Sequence, residues 1–173
     1  MTSLKYLAII NCTQRNAEDA DDSSLRFLQQ LPEGLEDLHI LWCVALTDEN
    51  LTHLPTTLQK FELDKCVGGI TEIGLAAVAQ RCPALSDVSI ADCPEASASV
   101  LTRFTAVRTL TAMDFVILDD DLEAIASALP ELQTISIGGD EVNVSGQTVI
   151  DCFGQKSTIV HMYQGRLWIV FYV

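Results

Sequence analysis

Residues 58–66 read Leu-Gln-Lys-Phe-Glu-Leu-Asp-Lys-Cys, and residues 85–93 read Leu-Ser-Asp-Val-Ser-Ile-Ala-Asp-Cys. Both stretches carry apolar residues at the first, fourth and sixth positions and a cysteine at the ninth. The apolar, polar, apolar alternation from the fourth position to the sixth has the period of a strand that buries one face. Working outward, the same pattern recurs at Leu4, Leu7, Ile9 and Cys12, and at Leu35, Leu38, Ile40 and Cys43. Weaker copies are Val107, Leu110, Ala112 and Phe115, then Leu132, Ile135 and Ile137, with Asp140 in the cysteine slot. The copies start at 4, 35, 58, 85, 107 and 132, at spacings of 31, 23, 27, 22 and 25 residues. A recurrence of this size marks a repeat architecture.

A second periodicity fills the gaps. Leu25, Leu28 and Leu31 precede Pro32, and Leu51 and Leu54 precede Pro55. Leu75, Val78 and Ala79 lead to Cys82-Pro83, and Leu122, Ile125 and Leu129 precede Pro130. Apolar residues three and four apart predict amphipathic helices, each stopped by the proline that follows. Thr47-Asp48, Thr71-Glu72 and Asp119–Asp121 stand where a helix start wants oxygen acceptors and negative charge. Each unit therefore reads as a strand, a turn, a helix and a turn. One unit cannot bury its apolar stripe alone, but stacked units can.

These residues resemble the leucine-rich repeat, in its cysteine-containing subtype. The match is closest over Cys66-Val67-Gly68-Gly69-Ile70-Thr71-Glu72, Gly74-Leu75 and Cys82-Pro83-Ala84-Leu85, and next over Cys43 to Leu54. The resemblance implies an α/β solenoid, a curved horseshoe of about six strand-turn-helix units with a parallel β-sheet on its concave face. We place this solenoid over residues 1–140 and a C-terminal cap or tail over 141–173. Residues 157–173 are rich in β-formers, and Gln164-Gly165 is a weak hairpin signal. A β cap would cover the last repeat's edge, and a mobile tail is the alternative. The subtype is best known from F-box substrate receptors of ubiquitin ligases and from related adaptors. No F-box fits before the first copy at Leu4. The Leu31-Pro32-Glu33-Gly34-Leu35 string reads instead as a helix end and strand start in repeat register.

Composition narrows the function classes. The 173 residues suit one domain with an aliphatic core, since 49% are hydrophobic and only 6% aromatic. Ten Lys and Arg against 24 Asp and Glu give a net charge of −14. That field opposes nucleic-acid phosphates and anionic membranes and favours a neutral or basic protein partner. The apolar run Leu7–Ile10 is too short for a signal peptide, and no stretch is long enough to span a membrane. Six cysteines are too few for a disulfide scaffold, so a reducing compartment, cytoplasm or nucleus, is expected. Cys12, Cys43, Cys66 and Cys93 share one repeat slot, and Cys82 holds the other recurrent one. The resemblance implies that the slot cysteines pack inward and help satisfy backbone groups. No cysteine–histidine set has zinc spacing, so no metal and no cofactor are expected. Cys152 is unexplained. Asp19, Asp21 and Asp22 lack the glycine and terminal glutamate of a calcium loop. Gly68-Gly69 and Gly138-Gly139 read as turn glycines.

The concave face can be read off the alternation. Its central column is Ala8, His39, Glu62, Ser89, Thr111 and Ser136. One flank is Tyr6, Asp37, Lys60, Asp87, Thr109 and Thr134; the other is Ile10, Leu41, Asp64, Ala91, Met113 and Gly138. Beyond that lie Asn11, Trp42, Lys65, Asp92, Asp114 and Gly139. Tyr6, Ile10, Leu41 and Trp42 form an apolar and aromatic cluster, and Asp37, Glu62, Asp64, Asp87, Asp92 and Asp114 surround it. An aromatic anchor in a polar rim has the composition of an interaction hot spot. The partner-binding candidates are these residues with His39 and Met113. The alternative is that Tyr6 and Trp42 merely cover backbone or pack under the N-terminal edge. None of His39, His53 and His161 shows a nucleophile or carboxylate partner by spacing, and no catalytic residue is expected. The expectation is a non-enzymatic protein-recognition module, with adaptor work in ubiquitin ligation suggested by the resemblance. The alternative is a structural subunit held through its N-terminal edge strand and apolar C-terminal strand.

Overall fold

The computed structural model describes the backbone of residues 4–11, 22–66, 69–140, 142–154, 158–163 and 166–172. Cys12, Asp19, Asp21, Gly68 and the Gln164-Gly165 turn lie outside the described residues, as do the side chains of Asp22 and His161.

Five short strands each begin two residues after a repeat copy starts: β1 Tyr6–Ile10, β2 Asp37–Leu41, β3 Lys60–Asp64, β4 Asp87–Ala91 and β5 Thr109–Met113. Two-residue β6 (Ile117–Leu118) follows, then β7 (Thr134–Gly139) and two-residue β8 (Val142–Asn143). Strands β1, β2, β3, β4, β5 and β7 pair in that order, all parallel and in repeat register, with Tyr6 opposite Asp37, Asp37 opposite Lys60, and so on to Thr134. Period two then sorts the residues. Leu38, Ile40, Phe61, Leu63, Val88, Ile90, Leu110, Ala112, Ile135 and Ile137 are buried in one continuous core. The residues between them stand on the face that carries no helices. This is the α/β repeat stack that the resemblance implies.

The connecting helices are α1 Asp48–Leu51, α2 Glu72–Arg81, α3 Asp119–Ala128 and α4 Gly146–Phe153, with 3-10 helices at Asp22–Gln30 and Ala98–Arg103. The Leu25-Leu28 stripe is thus wound as a 3-10 helix, Leu54 lies beyond the end of α1, and Ala98–Arg103 and α4 were not marked by any helical stripe noted in the sequence. Unit length accounts for the two shortest helices, though not for the 3-10 winding of Asp22–Gln30, which lies in the longest unit. Neighbouring parallel strands sit about 4.8 Å apart whatever the connection, so each return segment must cover a similar path with the residues it has. The 27- and 25-residue units wind ten-residue α-helices, about 15 Å long. The 23- and 22-residue units are left with four α residues or six 3-10 residues. The 3-10 form rises about 2.0 Å per residue and spans more with less.

Hydrogen bonds between helix starts tie consecutive units. Asp48 accepts from the Thr71 N–H at 2.8 Å and from the Thr71 hydroxyl at 2.6 Å. Glu72 accepts from the Ser97 hydroxyl, and Asp119 from the Ser145 N–H at 2.7 Å. In each link the first helical residue of one unit holds the N-cap of the next. The Ser145 contact is the main reason the Asp119 carboxyl is held below the usual carboxylate range. Gly74 makes the first link possible, because a Cβ there would stand 2.2 Å from Asp48 Oδ1 and 3.0 Å from Asp48 Cα. Ala98 and Leu118 occupy the same repeat positions, and neither side chain can make the link. There the short parallel pair β6–β8 joins the next two loops instead.

Beyond β7 the chain forms α4, which packs on α3 as the earlier helices pack on one another. Strands β9 (Thr158–Tyr163) and β10 (Arg166–Tyr172) then pair antiparallel, and β10 pairs antiparallel with β7. Among the described residues the main sheet therefore has eight strands, with β1 and β9 at its edges.

Candidate partner-binding face

Five of the six parallel strands, β1 to β5, end in the same way. Asn11, Trp42, Lys65, Asp92 and Asp114 all have left-handed backbone, with φ between 51° and 61°. Four of these residues keep their N–H in the ladder. Asn11 donates to Leu41 O, Trp42 to Asp64 O, Lys65 to Ala91 O and Asp114 to Gly138 O, at 2.8–3.3 Å. The left-handed step thus makes one last inter-strand bond and turns the chain toward the helix side. Asn and Asp accept this conformation readily, whereas a bulky aromatic there is an outlier. Trp42 is that outlier, and it is 50% exposed. The sequence placed these residues in one column, where Asn11, Asp92, Asp114 and Gly139 were the available signal of positive φ and Trp42 and Lys65 carried none.

The cysteine slot follows two residues after each strand. Cys43 Sγ donates to Leu41 O at 3.5 Å, Cys66 Sγ to Asp64 O at 3.4 Å and Cys93 Sγ to Ala91 O at 3.6 Å. Cys82 Sγ donates to Pro55 O at 3.3 Å. These thiols are buried, and each donates to a backbone carbonyl at a turn. Burial pushes the Cys82 thiol up to about 11 and the Cys93 thiol up to about 12. An unfolded thiol ionises near 8.5. The folded state therefore holds protons that the unfolded state has released, and stability falls as pH rises above about 9. Cys93→Ala is expected to flatten this alkaline decline by up to about 1.4 kcal/mol per pH unit. Urea melts of both proteins at pH 8 and pH 10.5 check it, and parallel declines would refute it.

On the helix-free face, Tyr6, Ile10 and Trp42 are 53%, 62% and 50% exposed, with half-buried Leu41 beside them. Asp37, His39, Glu62, Asp64, Asp87, Asp92 and Asp114 are half-buried around this cluster. Met113 differs: it is only 9% exposed and offers little to a partner. Its neighbours in the column, Ala91 and Gly138, are small. Chain alternation gave Met113 the right face but could not show its depth of burial.

His39 corrects the expectation that no histidine has a carboxylate partner. Its Nε2 lies 2.7 Å from Asp37 Oδ1, and its Nδ1 contacts Glu62 Oε2. Asp37 stands two residues earlier on the same strand face, and Glu62 is the cross-strand neighbour in register. Both relations were present in the aligned columns; the pairing needed the strands placed side by side. Tyr6 completes the group, its ring centroid 5.2 Å from that of His39 at a 54° tilt. Beside it a shallow hollow of about 130 Å³ runs from β2 across β3 and β4 to β5, lined by His39, Lys60, Glu62, Asp87, Ser89 and Thr111. Asp87 accepts from the Ser86 hydroxyl at 2.6 Å.

Further along the strand ends the field is strongly negative. Partial burial raises the Asp64 carboxyl above its ordinary range; Lys65 opposes the rise, and Asp92, Glu62 and Asp114 add to it. Lys65 Nζ lies 4.1 Å from the centre of the Trp42 ring. Among the described residues no group of three or more His, Cys, Asp or Glu side chains is placed to hold a metal ion. No described helix is long and apolar enough to cross a membrane.

No protein-family model matches this chain, and no curated protein does. Among solved structures it is similar to the leucine-rich repeat-containing protein LegL7 of Legionella pneumophila, at 16% identity and a TM-score of 0.48. The likeness covers 79% of this chain and 51% of the other, so the chain spans about half the length of that neighbour.

Proposed function

We propose that this chain is a non-enzymatic recognition module that holds a protein or peptide on the helix-free face of its sheet. The observation that carries the reading is Trp42, a half-exposed indole kept in a left-handed backbone position that small polar residues fill more easily. Tyr6 and Ile10 extend the apolar area, and the carboxylates of Asp37, Glu62, Asp64, Asp87, Asp92 and Asp114 rim it. An exposed aromatic centre inside a charged rim is how binding energy concentrates at interfaces. The rim and the net charge of −14 favour a basic partner and make association fall with salt. Adaptor or substrate-receptor work in ubiquitin ligation is the finer form of this reading, and the resemblance alone suggests it. A reducing compartment, cytoplasm or nucleus, belongs to the same proposal and rests on the sequence's cysteine count alone.

The test is a pull-down from native cell extract with wild type and the Trp42→Ala, Glu62→Lys double variant, read by mass spectrometry. A partner lost with the double variant and released by moderate salt supports the open face. A fixed set of subunits retained by the variant rejects it. That outcome would favour a structural subunit held by its edges. The observation behind this second reading is that β1 pairs only with β2 among the described residues. In either reading the β9–β10 hairpin serves as a cap on the β7 edge.

A further inference from the structure

We infer that the Trp42 ring receives an arginine or lysine side chain of the partner, and that in the free protein Lys65 occupies that place. This inference rests on the open-face reading above and names the chemistry that the face selects. Trp42 and Lys65 hold equivalent positions at the ends of β2 and β3, both left-handed. From there the Lys65 ammonium folds sideways to 4.1 Å from the ring centre. Asp64 precedes Lys65 in the chain, and Asp92 holds the equivalent position one strand further along. Yet among the described residues Lys65 forms no ion pair within salt-bridge distance. A flexible ammonium with carboxylates on either side lies over the indole. The face of this ring is therefore a favourable cation position in a strongly negative field, as the quadrupole of an indole predicts. The chain's own lysine marks the position a ligand cation would take.

Exchange is cheap here for a geometric reason. A guanidinium stacks on an indole better than an ammonium does and is more weakly hydrated. Displaced from the ring, Lys65 has Asp64 and Asp92 as neighbours. The incoming cation also meets the summed charge of Glu62, Asp64, Asp92 and Asp114. Lys65 thus acts as an internal competitor: it screens the ring against weak cationic ligands and yields to a segment that also engages Tyr6 and Ile10.

The experiment titrates fluorescein-labelled acetyl-(Gly-Arg)3-amide into wild type, Lys65→Ala, Trp42→Ala and Arg103→Ala, at low and at physiological salt. Arg103 lies at the end of a helix-side 3-10 segment, so its variant removes the same charge away from the sheet face. Lys65→Ala is expected to bind three- to tenfold more tightly than Arg103→Ala. Adding Trp42→Ala to Lys65→Ala should abolish that gain. Equal affinity of Lys65→Ala and Arg103→Ala, weaker binding by Lys65→Ala, or a gain that survives loss of Trp42 overturns the inference. The two readings fail separately. If a native partner still depends on Trp42 and Glu62 while the peptide shows no Lys65 effect, only the cation assignment falls. If the native partner ignores both residues, the open face itself is rejected.

Discussion

Gly139→Ala is expected to lower the unfolding free energy by roughly 2–5 kcal/mol. Two effects add. Gly139 has φ of +133°, outside the left-handed basin near +55° that the other strand-end residues use, and an L side chain is strained there. A Cβ would also stand 2.9 Å from Asp114 Cα and 3.0 Å from Asp114 N, both backbone atoms that cannot swing away. The Asp114 N–H makes the last ladder bond to Gly138 O at 2.8 Å, so the push falls on the β5–β7 junction. Gly69 supplies the control. Its φ is +130°, but the nearest atom to an added Cβ is Leu46 O at 3.9 Å. Gly69→Ala should carry the backbone penalty alone and lose less by about 1–3 kcal/mol. Equal urea midpoints for the two variants would show that the Asp114 contact contributes nothing.

Trp42→Asn is expected to separate stability from binding. Asn accepts the left-handed backbone that strains Trp, a gain of about 1 kcal/mol. The substitution removes the Lys65 contact, which at an exposed site is worth about 0.5–1 kcal/mol. Unfolding free energy should therefore stay within about 1 kcal/mol of wild type. Affinity for the native partner should fall about a hundredfold, the effect of deleting a central aromatic anchor. The opposite pattern, a stability loss above about 2 kcal/mol with binding unchanged, would make Trp42 a packing residue covering the N-terminal strands. Melting curves and titration calorimetry on the same preparations decide between them.

The strand positions were legible because they rest on local physics. Leu38-His39-Ile40 and Phe61-Glu62-Leu63 alternate with period two, and only one phase of that alternation buries the leucines. The same phase put Tyr6, His39 and Glu62 on the opposite face without any coordinates. Thr47, Thr71 and their acidic successors marked helix starts, because a helix leaves its first N–H groups to be satisfied by nearby side chains. The Ala98–Arg103 segment was not legible. Its winding follows from a short unit forced to span a fixed strand separation, a constraint set by its neighbours and not by its own residues.

By itself, then, the sequence determined the period, the strand register, the buried stripe and the columns of the open face. Each follows from side-chain alternation along a chain whose neighbouring units repeat it. Only the tertiary structure decided how the columns act together. It set His39 between Asp37 and Glu62, laid Lys65 over Trp42, tied Asp48 to Thr71 and enclosed Met113. These contacts join residues of different units through space, or depend on a left-handed turn whose φ no spacing encodes. They exist only once the stack is built, because the distance between neighbouring strands, not the distance along the chain, determines which charges and rings meet.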